Sequence, residues 1–428
     1  MKSMHIASLD QPAAPLRSCA SRELQTPAEH SDTSSFLQDE IRPVLSGYPA
    51  QGFRQILGMI SGTSADGVDV ARVLFPPVGS DQQLKVLEFK TVPYPAELKK
   101  DVLRAAADEL SLRQTARLDH ALSEFFAEVA QQAVGEEPVD LIASHGQTVA
   151  HLPECHTTVQ LGDGSLIANR TGVITVSDFR TADMALGGQG APLVPLFDAH
   201  LLASADCTRI AVNLGGIANI TVVPGNDGPV LAWDTGPANC VSDALCRLRQ
   251  HGDFDPDGQA AARGKVDNDL LHSLLKMDYF QRIPPKSTGL EDFGESFARK
   301  IPSNLKFEDS LRTVLALSAQ TLVDAVIANV TARRPVELVF AGGGTANRTL
   351  MTEIETRLAL SAARVNLEVP RCRSFRDFGV DEECREAVAF AFLGDRTARG
   401  LVGTVPSTTG AARAAILGKV SFPSPTNL

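Results

Sequence analysis

The sequence predicts an α/β protein of two related lobes, each a mixed sheet flanked by helices, around a central cleft. Two observations carry this. From about residue 54 onward, short apolar extended runs alternate with stretches of helical periodicity, the pattern of sheets covered by helices. A strand–glycine turn–strand–strand unit near residue 54 also returns near residue 205, which reads as a duplicated unit. At 428 residues with a hydrophobic share of 43%, the chain is long enough for large buried cores. Clefts between two such lobes commonly hold small-molecule sites.

The elements follow in order. Residues 1–52 mix Ser, Pro, Gln and both charge signs with no steady period, and they read as a mobile tail that the fold does not need. Asp10, Glu23, Glu29, Asp32 and Asp39 count against an organellar address, since transit peptides are poor in acids. The first lobe spans 53–205. Its strands are expected at 56–60, 68–75 and 84–92, with a tight turn between the first two. Helices follow at 96–107 and 112–134, the second with Leu118, Leu122, Phe125, Phe126 and Val129 on one face. A strand at 139–143 leads into Ser144-His145-Gly146-Gln147-Thr148. Further strands at 157–161 and 173–177 surround a short helix at 165–170. A glycine-dense loop at 187–192 then opens a helix to about 203.

The second lobe spans 206–428. Its meander is expected at 209–214, 217–223 and 230–233, with Gly215-Gly216 at the first turn. Helices follow at 238–250 and 309–331, the latter with Leu315, Ala319, Leu322, Val326 and Val330 in register. A strand at 336–340, a turn at 342–344, a helix at 348–358 and a strand at 365–369 come next. A helix at 381–399 closes the fold.

Composition removes several functions. The net charge of −11 leaves no basic face for nucleic acid or an anionic membrane. Seven cysteines without a C-x-x-C pair argue against disulfides or structural zinc and for a reducing cytoplasm. The nine histidines contain no H-E-x-x-H. There is no G-x-x-x-x-G-K-[ST], no G-x-G-x-x-G after the first strand and no G-x-S-x-G elbow.

The chemistry-bearing segments are few. Gly62-Thr63-Ser64-Ala65-Asp66-Gly67 offers backbone N–H groups and hydroxyls to phosphate oxygens, and a carboxylate for the water shell of Mg²⁺. An ordinary hairpin turn explains that segment equally well. Asn213-Leu214-Gly215-Gly216 and Gly342-Gly343-Gly344-Thr345-Ala346-Asn347 are second and third glycine turns, each after a strand, and a turn at a helix start is an anion contact. Asp234 follows a strand, where a carboxylate facing a cleft can take a proton from water; a helix cap involving Thr235 is the plain alternative. Arg180, Asp183 and the 187–192 loop gather the mixed polar groups that suit an anionic sugar; a surface Asp178–Arg180 pair of little consequence explains the charges equally well.

Together these segments resemble the anhydro-N-acetylmuramic acid kinase family, of the acetate and sugar kinase/Hsc70/actin fold. The matching stretches are GMISGTSADGVDVA (58–71), SHGQTVAHLP (144–153), QLGDGSLIANRTG (160–172), SDFRTADMALGGQGAPLVPLFD (177–198), NLGGIANIT (213–221), WDTGPANCVSDAL (233–245), PPKSTGLEDF (284–293), FAGGGTANRTLM (340–351) and REAVAFAFLG (385–394). The resemblance runs from about residue 54 to 420. It implies an actin-like ATPase/sugar kinase fold. It further implies an enzyme that opens the 1,6-anhydro ring of anhydro-N-acetylmuramic acid with water and transfers the γ-phosphate of Mg·ATP to O6. The products are N-acetylmuramic acid 6-phosphate and ADP, in peptidoglycan recycling.

By the same likeness Asp234 is the general base, and Glu386 approaches the substrate from the closing helix. Gly62, Thr63, Ser64 and Asp66 face the phosphates and magnesium, with Asp66 reaching Mg²⁺ through water. Gly215 and Gly216 form the second phosphate turn, and Gly343, Gly344 and Asn347 lie near the adenosine. Arg180, Asp183, Gln189 and Pro192 line the sugar pocket, with Arg180 answering the lactyl carboxylate. The implied partners are the sugar and ATP, with no nucleic acid and no membrane, in a cytoplasmic homodimer. Three positions depart from the family: Ala65 replaces a usual Leu or Met, Leu290 a usual Arg, and Cys384 a common Asp. A kinase for a related sugar, supported by Leu290, stays open, as does a non-catalytic nucleotide-gated sugar sensor.

Overall fold

The structure, a computed structural model, describes residues 45, 48–49, 51–62, 64–225, 228–329 and 334–425. The first sheet is built from β1 (Arg54–Ser61), β2 (Gly67–Phe75), β3 (Lys85–Pro93), β4 (Leu141–Leu152), β5 (Thr157–Leu161) and β6 (Thr175–Ser177). The second contains β7 (Thr208–Leu214), β8 (Ile217–Val223), β9 (Leu231–Pro237), β10 (Val336–Ala341) and β11 (Arg371–Ser374). A last strand, β12 (Lys419–Ser421), pairs antiparallel with β6.

The duplication read from the sequence has a topological counterpart. In the first sheet β3, β2 and β1 are antiparallel, β4 runs parallel to β1, and β6 runs parallel to β4. In the second, β9, β8 and β7 are antiparallel, β10 runs parallel to β7, and β11 runs parallel to β10. Strand order and direction are therefore the same in both: a mixed sheet flanked by helices, twice.

Alternation along β1 sends neighbouring residues into different cores. Leu57 and Met59 pack with Val68, Val70 and with Leu118, Leu122 and Phe126 of the helix Leu112–Val134. Ile56 and Ile60 face the other way, into a core shared with Ala211 of β7 and Val339 of β10. The helix Arg385–Ala398 fills that core, and every residue of it except Glu386 is buried. A helix buried on nearly every side belongs between layers.

That helix follows the second sheet in the chain yet packs on β1, β2 and β4 of the first. The cause is a close approach. A Cβ on Gly58 would lie 1.8 Å from the Ala387 carbonyl oxygen, so only glycine lets helix and strand meet. The only apolar helix long enough by composition to cross a membrane among the described residues, Phe307–Ala328, is instead mostly buried in the core of the second sheet.

Other expectations shift. Most of the 1–52 tail lies outside the described residues, but its last part is not idle. Leu45 is 5% exposed and donates its N–H to the Ala398 carbonyl at 3.2 Å, and Tyr48 donates to Asp395 at 2.7 Å. No strand forms at 365–369. The helix Arg348–Arg364 keeps its buried stripe through Ile354, Leu358 and Ala362, while Val365 and Val369 stay exposed. The strand expected at 139–143 begins at Leu141 and continues to Leu152, taking in the Ser144–Thr148 segment.

Candidate active site

A cleft of about 510 Å³ opens beside the second sheet. The β7–β8–β9 register builds its floor. Asn213 stands opposite Asn219, and Asn219 stands opposite Asp234, with a register shift between Ala218 and Asn219. Residues opposite one another in antiparallel strands share a face, and all three line the cleft. The strand β9 runs on to Pro237, so Asp234 lies within it rather than after it. Thr235 caps no helix: its hydroxyl donates to the Ala218 carbonyl at 3.2 Å, and the next helix starts at Cys240.

Among the described residues the Asp234 carboxylate is tied down through one oxygen. Its Oδ2 accepts from the Thr288 N–H at 2.9 Å, and its backbone is held by the Tyr279 hydroxyl at 2.7 Å and the Lys286 carbonyl at 3.1 Å. These contacts clip the 285–288 loop, which also lines the cleft, to β9. Burial raises the Asp234 carboxyl to about 6; the Thr288 N–H opposes this, and Glu291 adds to it. A carboxylate poised there can accept a proton near neutral pH.

Glu386 enters the same cleft from the first turn of the helix Arg385–Ala398. Its neighbour Arg385 donates Nε to Asp198 Oδ1 at 3.0 Å, makes a second contact to Asp198 Oδ2, and sits 4.6 Å over the Phe375 ring. This buried pair fixes the helix start. Desolvation holds the Glu386 carboxyl above the usual carboxylate range; Arg385 and Arg180 pull it down, and Asp69 and Asp198 push it up.

The proposed sugar residues divide. Gln189 and Pro192 line the cleft. Arg180 stands behind the lining, with Nε donating to His145 Nε2 at 3.0 Å and Nη1 to the Gly190 carbonyl at 2.9 Å. Burial lowers it to about 10, with Glu386 acting the other way. Asp183 does not reach the cleft. It is fully buried and accepts from the Gly190 N–H at 2.8 Å and the Thr409 hydroxyl at 2.7 Å. A carboxylate so satisfied shapes the 187–192 loop instead of touching a ligand.

The second and third glycine turns come together. The Ala238 and Cys240 N–H groups donate to the Gly216 carbonyl, at 2.8 and 3.1 Å, and Asn239 donates from backbone and side chain to the Gly215 carbonyl. Gly342, at φ +89°, lies against Leu214, where a Cβ would be 2.6 Å from its carbonyl oxygen. Asn347 Nδ2 reaches Asn239 Oδ1 at 3.5 Å and caps the helix Arg348–Arg364 by accepting from the Leu350 N–H. Gly215, Gly216, Gly344 and Asn347 thus surround Asn239, between two helix starts. Gly343 is open, with no atom near where its Cβ would be.

The first turn is closed from β4. Ser61 Oγ donates to the Gly67 carbonyl and contacts Gln147 Oε1 at 2.6 Å, while Gln147 Nε2 donates to the Gly62 carbonyl. Thr63 lies outside the described residues. Gly62, Ser64 and Asp66 do not line the cleft. Asp66, assigned to magnesium, is exposed and paired with Lys99 at 2.6 Å, and hydrogen bonds from Lys99 and Ser64 lower its carboxyl. Among the described residues no three His, Cys, Asp or Glu side chains gather as a metal site.

Three residues escaped the sequence reading: Asn213 and Asn219 on the cleft floor, with Asn239 between the glycine turns. The alternation of β7 and β8 was visible, but which residues face one another needs the register. Two departures also resolve. Leu290 is 65% exposed and does not line the cleft, and Cys384 is buried with Sγ toward the Asp381 carbonyl.

The sequence profile of the family described as "Anhydro-N-acetylmuramic acid kinase" matches residues 54–423. A protein of that name from Salinibacter ruber is 40% identical over 395 residues, covering 87% of this chain and 97% of its own. One from Caldanaerobacter subterraneus is 37% identical, covering 86% and 97%. One from Synechococcus elongatus is 38% identical, covering 86% and 99%.

Proposed function

Because the chain belongs to the anhydro-N-acetylmuramic acid kinase family, we propose that Asp234 is the base with which it does that family's chemistry. The protein is an ATP-dependent kinase. It opens the 1,6-anhydro ring of anhydro-N-acetylmuramic acid with water and phosphorylates O6, giving N-acetylmuramic acid 6-phosphate and ADP. The observation that carries the assignment is a cleft-lining carboxyl raised to about 6 whose Oδ2 accepts from the Thr288 N–H.

Asp234 takes a proton from a water molecule as the water oxygen attacks the anomeric carbon. The bond from that carbon to O6 breaks, and O6 takes the γ-phosphoryl group as its bond to ADP breaks. Asn219, beside Asp234 on the sheet, is placed to orient the water. Glu386 faces it across the cleft as a second carboxyl. Arg180 answers the lactyl carboxylate, with Gln189 and Pro192 against the sugar. Asp183 supports their loop.

Phosphoryl transfer needs positioning and neutralised charge more than covalent help from the protein. Gly215, Gly216 and the helix start behind them take the phosphates, and Gly343, Gly344 and Asn347 take the adenosine side. Gly62, Thr63 and Ser64 complete the phosphate contacts from the first lobe. Magnesium belongs to the ATP substrate, and Asp66, which here pairs with Lys99, is the carboxylate that would hold its water shell. The enzyme works in the cytoplasm as a homodimer. Its two lobes are 53–205 and 206–384, with the helix Arg385–Ala398 and β12 returning to the first.

Asp234→Asn tests the base. It should still bind sugar while its turnover falls by about a hundred- to ten-thousandfold, read as ADP release. Unimpaired turnover would remove Asp234 from the role.

A further inference from the structure

His145 has no place in the chemistry above, yet it is 3% exposed in a part of β4 that runs beside the cleft. Its ring lies against Phe390 of the buried helix, with centroids 4.6 Å apart. Both ring nitrogens are engaged. Nδ1 is 3.0 Å from the Gly146 carbonyl oxygen, and Nε2 is 3.0 Å from Arg180 Nε.

These partners determine where the proton sits. A guanidinium Nε–H only donates, so Nε2 must present its lone pair; a carbonyl only accepts, so Nδ1 must carry the hydrogen. The imidazole is therefore neutral, in the Nδ1–H form. Burial, with the Arg180 charge beside it, pushes its titration down to about 3. An imidazole held this way is a fixed acceptor across the physiological range.

Its effect falls on Arg180. With Nε held by His145 and Nη1 by the Gly190 carbonyl, the guanidinium plane is set from two sides. Its Nη2 makes no hydrogen bond to protein among the described residues. The Arg180 charge acts on Glu386 and His151, both of which line the cleft. We propose that His145 is a positioning residue: its Nε2 lone pair clamps the Arg180 guanidinium so that its remaining edge meets the carboxylate of the sugar. This rests on the reading of Arg180 as a sugar contact.

Two measurements test it. In the ¹⁵N-histidine spectrum of the wild-type enzyme, the His145 signal (assigned by its loss in His145→Gln) should be the neutral Nδ1–H form at neutral pH. An Nε2–H form or an imidazolium overturns the proposal. In kinetics, His145→Phe keeps a ring against Phe390 but offers no acceptor. Losing a hydrogen bond to a charged group should raise KM for the anhydro sugar about tenfold, with kcat changed less than about twofold. The same anhydro sugar lacking its lactyl group should show no such rise, and His145→Gln, whose carbonyl can reach the Nε2 position, should recover most of it. An equal rise for both sugars, or no recovery with glutamine, overturns the clamp. Arg180→Met separates the two ideas: if it leaves KM for the lactyl sugar unchanged, the sugar-contact reading of Arg180 fails, and the clamp with it.

Discussion

The surroundings of Asp234 set a single carboxylate in the range where it can take a proton. Burial raises its carboxyl to about 6 and Glu291 adds negative charge, while the Thr288 N–H limits the rise. The sign follows directly. Asp234 accepts a proton only when ionised, so activity is lost as pH falls through its raised value. kcat/KM should drop about tenfold per unit below about pH 6 and level off above it. The profile should keep that limb in Glu386→Gln; a limb that vanishes there would assign it to Glu386 instead. At this scale the sequence was informative where a motif carries its own chemistry. Asp234 was legible as a carboxylate at a strand end and Gln189 as an amide in a glycine-dense loop, whereas Glu386 came from the family likeness alone. Asn213 and Asn219 were not, because their value comes from standing in one row with Asp234 across three strands. Asp183 misled for the opposite reason: its type suits a sugar, but its burial commits both oxygens to the loop.

Among the elements, the helix Arg385–Ala398 joins structure to site. It is buried on all sides between two sheets, and its one unburied residue, Glu386, faces the cleft. The Arg385–Asp198 pair anchors its start, with side chains 8% and 0% exposed. Removing one partner leaves a charge buried without its counterion. Asp198→Ala should therefore cost about 3–5 kcal/mol, measured by denaturant unfolding, and should lower turnover by loosening Glu386. A loss below about 0.5 kcal/mol would mean the pair is no anchor. The helix itself was legible from its apolar run. Its place on the first sheet was not, since periodicity shows that a face is buried and never against what. Gly58 was the available sign, a glycine in the middle of an apolar strand.

For the molecule as a whole, two sheets of identical order carry different duties. The second brings Asp234, Asn213 and Asn219 to the cleft and gathers two glycine turns; the first supplies the bed for the Glu386 helix. The repeat of the meander at residue 205 made this duplication readable in advance, while the crossing of the C-terminal segment back to the first sheet depends on contacts distant in sequence. Sites divided between lobes are completed by closure, which also keeps stray water from the phosphoryl group. The radius of gyration in solution scattering should fall when a non-hydrolysable nucleotide and the sugar are bound together, and less with either alone; an unchanged radius would contradict closure. The central claim is that one water molecule opens the ring while ATP phosphorylates the oxygen released. Turnover in ¹⁸O-water, followed by mass spectrometry of the product, tests it most directly. The account predicts a sugar heavier by one water and one phosphoryl group, with the label on the anomeric carbon and none in the phosphate. Label in the phosphate, or a phosphorylated sugar whose anhydro ring is intact, would contradict it.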